Sequence, residues 1–175
     1  MQQLTGQQLI VRNTGRPYRI LRADSGWGKT QVMAYEALWY ARFANKRILV
    51  ITTDTVNFNL ALSQFAIQEH DTSEIQVSTS YIESDWFMCI IDQAETFDQD
   101  TLKLIIRQCA EAKILWISTQ PLSKEHWLSD VIVKKRRDSR TRNVDWWIKD
   151  GENCDNYTKN QTESTADEGI IFQTS

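Results

Sequence analysis

Proline and glycine are scarce in this chain, with two prolines and six glycines among 175 residues. That composition excludes collagen-like repeats and Pro/Gly-rich low-complexity sequence. Cysteine is equally sparse. Cys89, Cys109 and Cys154 are odd in number and far apart, which excludes a disulfide framework and fits reduced thiols in a cytosolic setting. The two histidines, His70 and His126, stand alone, and no Cys/His pairing has zinc spacing. The longest apolar runs are of strand length, so no membrane span is expected. Residues 1–6 lack the basic-then-apolar order of a signal peptide.

What remains is the profile of a soluble globular protein: 41% apolar and 25% charged residues, in a length that suits one domain with a real core. The net charge of −3 hides an asymmetry. Residues 150–175 carry six acids (Asp150, Glu152, Asp155, Glu163, Asp167, Glu168) against one base, Lys159. Elsewhere positive charge gathers in Lys134, Lys135, Arg136, Arg137, Arg140 and Arg142. The mild overall acidity argues against a histone-like binder, while leaving room for basic residues that face a central channel.

Apolar periodicity switches repeatedly between strand and helix along the chain. Strands are expected at 8–13, 18–22, 47–53, 75–79, 86–92 and 114–119. Helices are expected at 31–45, 56–69 and 98–112, with a short one at 122–128. The helix over 31–45 is expected to bury Met33, Ala37, Trp39, Tyr40 and Phe43. Segments 131–136 and 144–149 read as a β-hairpin around a turn at 138–143. This alternation predicts an α/β fold, a doubly wound and mainly parallel sheet with helices on both faces. The continuous apolar runs suit strands buried on both sides. The domain is expected over 1–149. Beyond it, 150–175 is acidic and polar and is expected to be largely disordered, with Ile170, Ile171 and Phe172 as a docking patch.

One segment has the spacing of a phosphate loop: Ala23, Asp24, Ser25, Gly26, Trp27, Gly28, Lys29 and Thr30 fit A/G-x-x-x-x-G-K-T. Gly26 and Gly28 let the backbone curl so that successive N–H groups point at phosphate oxygens. The following helix, on which Gln31 sits, adds the positive end of its dipole. Lys29 supplies a charge for the β- and γ-phosphates, and the Thr30 hydroxyl suits Mg²⁺. An apolar strand before the loop and an amphipathic helix after it supply the required context. The expected ligands are therefore ATP and Mg²⁺. Trp27 either packs over the loop or faces a neighbour.

A magnesium site beside phosphates needs a carboxylate. Asp92 ends the apolar run Met88-Cys89-Ile90-Ile91 and is the candidate, paired with Thr30. The following residue is Gln93, whose neutral amide is a poor base. Glu95 is the candidate to orient water, provided the chain turns back toward the γ-phosphate. A third strand delivers Ser118, Thr119 and Gln120 to the same sheet edge, where ligands of open α/β sheets bind. Gln120, ahead of Thr119, is the candidate γ-phosphate sensor. The catalytic set is then Lys29, Glu95 and Gln120.

These three motifs, in this order, resemble the P-loop NTPases that carry an extra strand between the phosphate-loop strand and the acidic strand, with Asp92 in the Walker B position. The match covers roughly residues 20–137. Ser118-Thr119-Gln120-Pro121, a short helix and then Asp130–Arg137, ending in bases, look like the FtsK/HerA branch, which includes viral genome-packaging ATPases and Zot-like phage assembly ATPases. Gln93 departs from the usual Glu. The resemblance implies an ATPase motor that acts on DNA, a homo-oligomeric ring, a capsid, portal or assembly protein as partner, and location in the host cytoplasm or with the virion. Arg136, Arg137, Arg140 and Arg142 are open to three uses: a solvated hairpin face, DNA-backbone contact, or an arginine finger for the next subunit.

Two other readings carry specific residues. Asp92-Gln93-Ala94-Glu95-Thr96-Phe97 followed by a helix is also similar to AAA+ ATPases of DNA transposition or loading, although no helical lid follows residue 130. Gln93 equally suits a nucleotide-switched assembly protein with weak hydrolysis. A processive helicase needs a second motor domain, for which this chain has no room.

Overall fold

The structure, a computed structural model, describes residues 4–12, 15–66, 69–122 and 146–150, the last five as backbone. The elements are α1 (Gly6–Arg12), β1 (Tyr18–Arg22), α2 (Lys29–Ala44), β2 (Ile48–Ile51), α3 (Thr55–Phe65), β3 (Ile75–Ser78), β4 (Met88–Ile91), α4 (Gln99–Gln108), β5 (Ile114–Thr119) and β6 (Trp146–Asp150), with 3₁₀ turns at Glu69–Thr72, Ala94–Thr96 and Cys109–Glu111. The strands form one sheet in the order β3-β2-β4-β5-β1-β6, and every pair is parallel. β5 thus lies between the loop-bearing β1 and the acid-bearing β4, as expected for the extra-strand arrangement.

Burial follows the strand alternation. Leu21, Val50, Met88, Ile90, Ile114 and Trp116 face a core built with α1, α2 and α3. Ile20, Leu49, Ile51, Cys89, Ile91, Leu115 and Ile117 face a second core with α4. Side chains two apart share a face, so the central strands β2 and β4 are apolar on both faces, and β5 is apolar up to Ile117. This is the doubly wound α/β fold that the alternating pattern predicts.

The first segment differs from its sequence expectation. Residues 8–13 are expected as a strand, but residues 8–12 lie in the helix α1. Thr5 and Gln8 form a reciprocal capping box. The Gln8 N–H donates to Thr5 Oγ1 at 3.3 Å and the Thr5 N–H donates to Gln8 Oε1 at 2.9 Å. Satisfying two orphan donors at the start of a helix outweighs a modest β-preference. The aromatic face of α2 also differs. Its core stripe is Met33, Ala34, Ala37, Leu38 and Ala41, whereas Trp39 and Phe43 are 37% and 67% exposed. Trp39 lies two residues, about 200° of helix rotation, from Ala37. Its ring is instead covered from the α1 side, where the Arg12 guanidinium sits 5.0 Å from the ring centroid.

Of the hairpin expected over 131–149, the first arm and its turn lie outside the described residues. The second arm is β6, parallel to β1 with Tyr18 opposite Trp146. The short helix at 122–128 lies, from residue 123 on, outside the described residues, as do Arg136, Arg137, Arg140, Arg142 and the acidic segment from 151. Among the described residues no helix is long and apolar enough to cross a membrane.

A buried charge triad ties α1, β1 and α2 together. Glu36 on α2 accepts from Arg12 Nε and from Arg19 Nη1, each at 2.8 Å. Arg19 and Glu36 are almost fully buried, and the Arg19 guanidinium also lies 4.9 Å from the Trp116 ring centroid. Removing the carboxylate would strand a buried cation. Glu36→Ala is therefore expected to destabilise the protein by about 3 kcal/mol, read as a lowered midpoint of urea unfolding.

Candidate nucleotide site

β1 continues one residue past its last ladder pair, since the Ala23 N–H donates to the Thr119 carbonyl at 3.1 Å. The chain then leaves the sheet and curls. Gly26 and Gly28 take φ of 82° and 95°, left-handed backbone that a side chain disfavours. At Gly28 a second constraint applies: an added Cβ would collide with the Gln8 side-chain amide and lie 2.9 Å from Gln31 Oε1. Gly28 is also the N-cap of α2 and has no side chain to cap it. The first N–H groups of a 16-residue helix are thereby available to an anion at the loop.

Lys29 folds back over the loop. Its Nζ donates to the Ala23 carbonyl at 2.6 Å and to the Asp24 carbonyl at 3.0 Å. Ser25 and Gly26 are exposed at the tip, while Asp24, Trp27, Gly28, Thr30 and Gln31 are half-buried. Trp27 is half-buried and packs against the core shared by α1, α2 and α3. Its carbonyl accepts from Gln8 Nε2 at 3.0 Å. Gln8, which the sequence reading assigns to a strand, therefore serves both the α1 cap and the loop.

The acidic strand end lies directly beneath. Thr30 Oγ1 donates to Asp92 Oδ2 at 2.9 Å, and Ser118 Oγ donates to Asp92 Oδ1 at 2.5 Å. Ser118 Oγ in turn accepts from the Gln93 N–H at 3.0 Å. Asp92 is 1% exposed. Burial pushes its pKa above the usual carboxylate range. The Ser118 and Thr30 hydrogen bonds oppose that rise, Glu95 adds to it, and Lys29 opposes it. These groups thus share one electrostatic environment.

Glu95 reaches this environment because the chain bends. Gln93 is left-handed, with φ 55° and ψ 52°, and Ala94–Thr96 form a 3₁₀ turn. That bend turns the chain back after β4 and brings Glu95 within electrostatic reach of Asp92. Glu95 is half-buried, and its Oε2 is shielded from solvent with no hydrogen-bond partner among the described residues. Gln120 is exposed just past β5, and its backbone carbonyl accepts from Thr119 Oγ1 at 3.1 Å. The β5 side chain bonded to Asp92 is Ser118. Strand alternation could have found it: residues 114, 116 and 118 share the face that packs on α2, whereas Thr119 faces away.

The donor set suits a hard cation bound together with phosphate. Among the described residues no group of three or more His, Cys, Asp or Glu side chains could hold a metal. Mg²⁺ beside phosphates needs only one or two carboxylates and keeps several waters. Asp92 and the Thr30 hydroxyl, 2.9 Å apart beside a helix N-terminus that favours phosphate, meet that requirement.

No protein-family model and no curated protein matches the chain. Solved structures do. The large terminase from a thermophilic bacteriophage superposes with a TM-score of 0.65 at 14% identity, covering 97% of this chain and 52% of the terminase. Its complexes with ADP and ATP-γ-S give TM-scores of 0.63 and 0.64, each at 13% identity, covering 95% and 96% of this chain and 51% and 50% of that one. This chain spans about half the length of the terminase structures it matches. At these identities the likeness is one of fold: the chain carries a parallel α/β fold that resembles that of a phage large terminase.

Proposed function

We propose that this chain binds ATP with Mg²⁺ at residues 23–31 and hydrolyses it as the ATPase part of a motor acting on DNA, in genome packaging or a related translocation. The observation that carries the reading is the bridge Thr30–Asp92–Ser118 beneath a loop whose lysine is already turned inward. The fold likeness to a terminase solved with ADP and ATP-γ-S supports it. Backbone N–H groups at the start of α2 and the Lys29 ammonium receive the phosphates. Thr30 and Asp92 hold Mg²⁺, which neutralises phosphate charge when bound. Glu95 orients the attacking water, and Gln120 stands at the neighbouring strand end as γ-phosphate sensor. Arg136, Arg137, Arg140 and Arg142 contact DNA or a neighbouring subunit of a homo-oligomeric ring. Residues 1–149 form the NTPase unit, with 150–175 a separate acidic segment, and a capsid, portal or assembly protein is the further partner. The location is the host cytoplasm or the virion.

ATP hydrolysis measured with and without double-stranded DNA, alongside oligomeric state, tests the motor. DNA is expected to raise kcat several-fold and to favour a ring. A monomer that hydrolyses ATP equally fast with or without DNA contradicts it. Gln93 supports a second reading, a nucleotide-switched assembly protein. In that case ATP binds with an affinity like that of the motor, turnover is slow, and DNA leaves the rate unchanged.

A further inference from the structure

Gln93 sits in left-handed backbone, which is unfavourable for a residue with a Cβ, and the bend exists because both sides of the residue are held. Its N–H is taken by Ser118 Oγ at 3.0 Å. Its carbonyl accepts twice from Thr96, from the backbone N–H at 2.9 Å and from Oγ1 at 2.7 Å. Thr96 Oγ1 also lies 2.8 Å from Thr53 Oγ1, at the end of the neighbouring strand β2. A threonine hydroxyl has one proton to donate. With the Thr96 proton on the Gln93 carbonyl, Thr53 is the donor in the hydroxyl pair. The direction is then Thr53 to Thr96 to the Gln93 carbonyl, and the turn so held is the one that carries Glu95.

We propose that Thr96, buttressed by Thr53, is a positioning residue that keeps Glu95 beside Asp92. The inference rests on the reading of Glu95 as the water-orienting group. Both threonines are exposed. Their hydroxyls are therefore dispensable for the core, and a bond between two exposed hydroxyls contributes little to global stability. Its consequence falls on the placement of one carboxylate, where an error of about 1 Å has a large effect on rate. An ordinary turn-stabilising threonine predicts the opposite partition: a small change in stability and none in kcat.

The test is steady-state ATP hydrolysis and Mg·ATP affinity for the parent, Thr96→Val, Thr96→Ser, Thr53→Val, Glu95→Gln and the double variant Thr96→Val/Glu95→Gln. Thr96→Val is expected to lower kcat about tenfold, with Kd for Mg·ATP and Tm close to parental. Thr96→Ser, which keeps the hydroxyl, recovers the rate, and Thr53→Val falls between. In the Glu95→Gln background Thr96→Val removes nothing further. A parental kcat for Thr96→Val, or the same tenfold loss in the Glu95→Gln background, overturns the proposal. If Glu95→Gln is slow while Thr96→Val is parental, the relay alone fails. If Glu95→Gln keeps the parental rate, the role of Glu95 fails and the relay with it.

Discussion

Replacing Lys29 with alanine is expected to lower kcat/KM for ATP by about 10²- to 10³-fold. The lysine is nearly buried, and its ammonium is aimed into the loop by the Ala23 and Asp24 carbonyls at 2.6 and 3.0 Å. Carbonyls this close hold a cation in place without a competing carboxylate at those two bonds, so phosphate oxygens can join the same ammonium. Charge spread over the transferred phosphoryl group grows toward the transition state, which makes a fixed cation worth more there than in the ground state. The loss should therefore appear in kcat as well as in KM. Lys29→Arg is not a conservative substitute, because a planar guanidinium does not fit between two carbonyls that grip a point-like ammonium. Turnover assays over a range of ATP concentrations separate the two constants. A variant whose kcat/KM stays within a few-fold of the parent contradicts the assignment.

Asp92→Asn is expected to lower Mg²⁺-dependent hydrolysis at least 100-fold and, in the absence of nucleotide, to stabilise the fold at neutral pH. The two effects have one cause. Burial raises the Asp92 pKa despite the hydroxyls of Ser118 and Thr30. A carboxyl with a raised native pKa binds more protons folded than unfolded. Its contribution to stability therefore falls as pH rises from the unfolded value through the folded one. Asparagine removes that charge while keeping the shape, since its carbonyl can accept from Ser118 and its amide can donate to the Thr30 hydroxyl. Thermal unfolding at several pH values should show a higher Tm for Asp92→Asn above the raised pKa and convergence with the parent in acid. The same ionisation governs the metal: Mg²⁺ affinity of the parent should weaken as pH falls through that pKa. A lower Tm for Asp92→Asn at neutral pH would show that the carboxylate stabilises the empty site and would contradict this account.

The parts of the site differ in how far sequence reveals them, and the reason is contiguity. A phosphate loop is built from eight consecutive residues, so Ala23 to Thr30 display the whole cradle, glycines and lysine included. Asp92 is marked by the four apolar residues before it, which are buried as β4. Ser118 is different. Its partner lies 26 residues away, and its role depends on β5 lying beside β4 in register, with Ile91 opposite Ile117. The relay through Thr53 and Thr96 likewise joins residues 43 apart, and neither threonine stands out from its neighbours. Glu95 is visible as a carboxylate, but its approach to Asp92 depends on the left-handed backbone of Gln93, which no propensity would assign to glutamine.

In the fold, the parallel sheet is legible because the central strands β2 and β4 are apolar on both faces. The error at α1 overlooks a four-residue capping pattern, Thr5 to Gln8, that is present in the sequence. On α2, large aromatic side chains draw attention from the smaller residues that form the core stripe. Trp39 and Phe43 lie instead beside Arg12 and Arg42, whose guanidinium groups sit 5.0 and 5.2 Å from the respective ring centroids.

The central claim is that Mg·ATP sits in the loop at residues 23–31 with Asp92 beneath it. Amide hydrogen exchange along the chain, with and without saturating Mg·ATP, tests it most directly. Protection is predicted at residues 24–31 and at 92–96, to be lost in Lys29→Ala. Unchanged exchange at 24–31 under conditions where ATP is bound, or protection confined to another part of the fold, would contradict it.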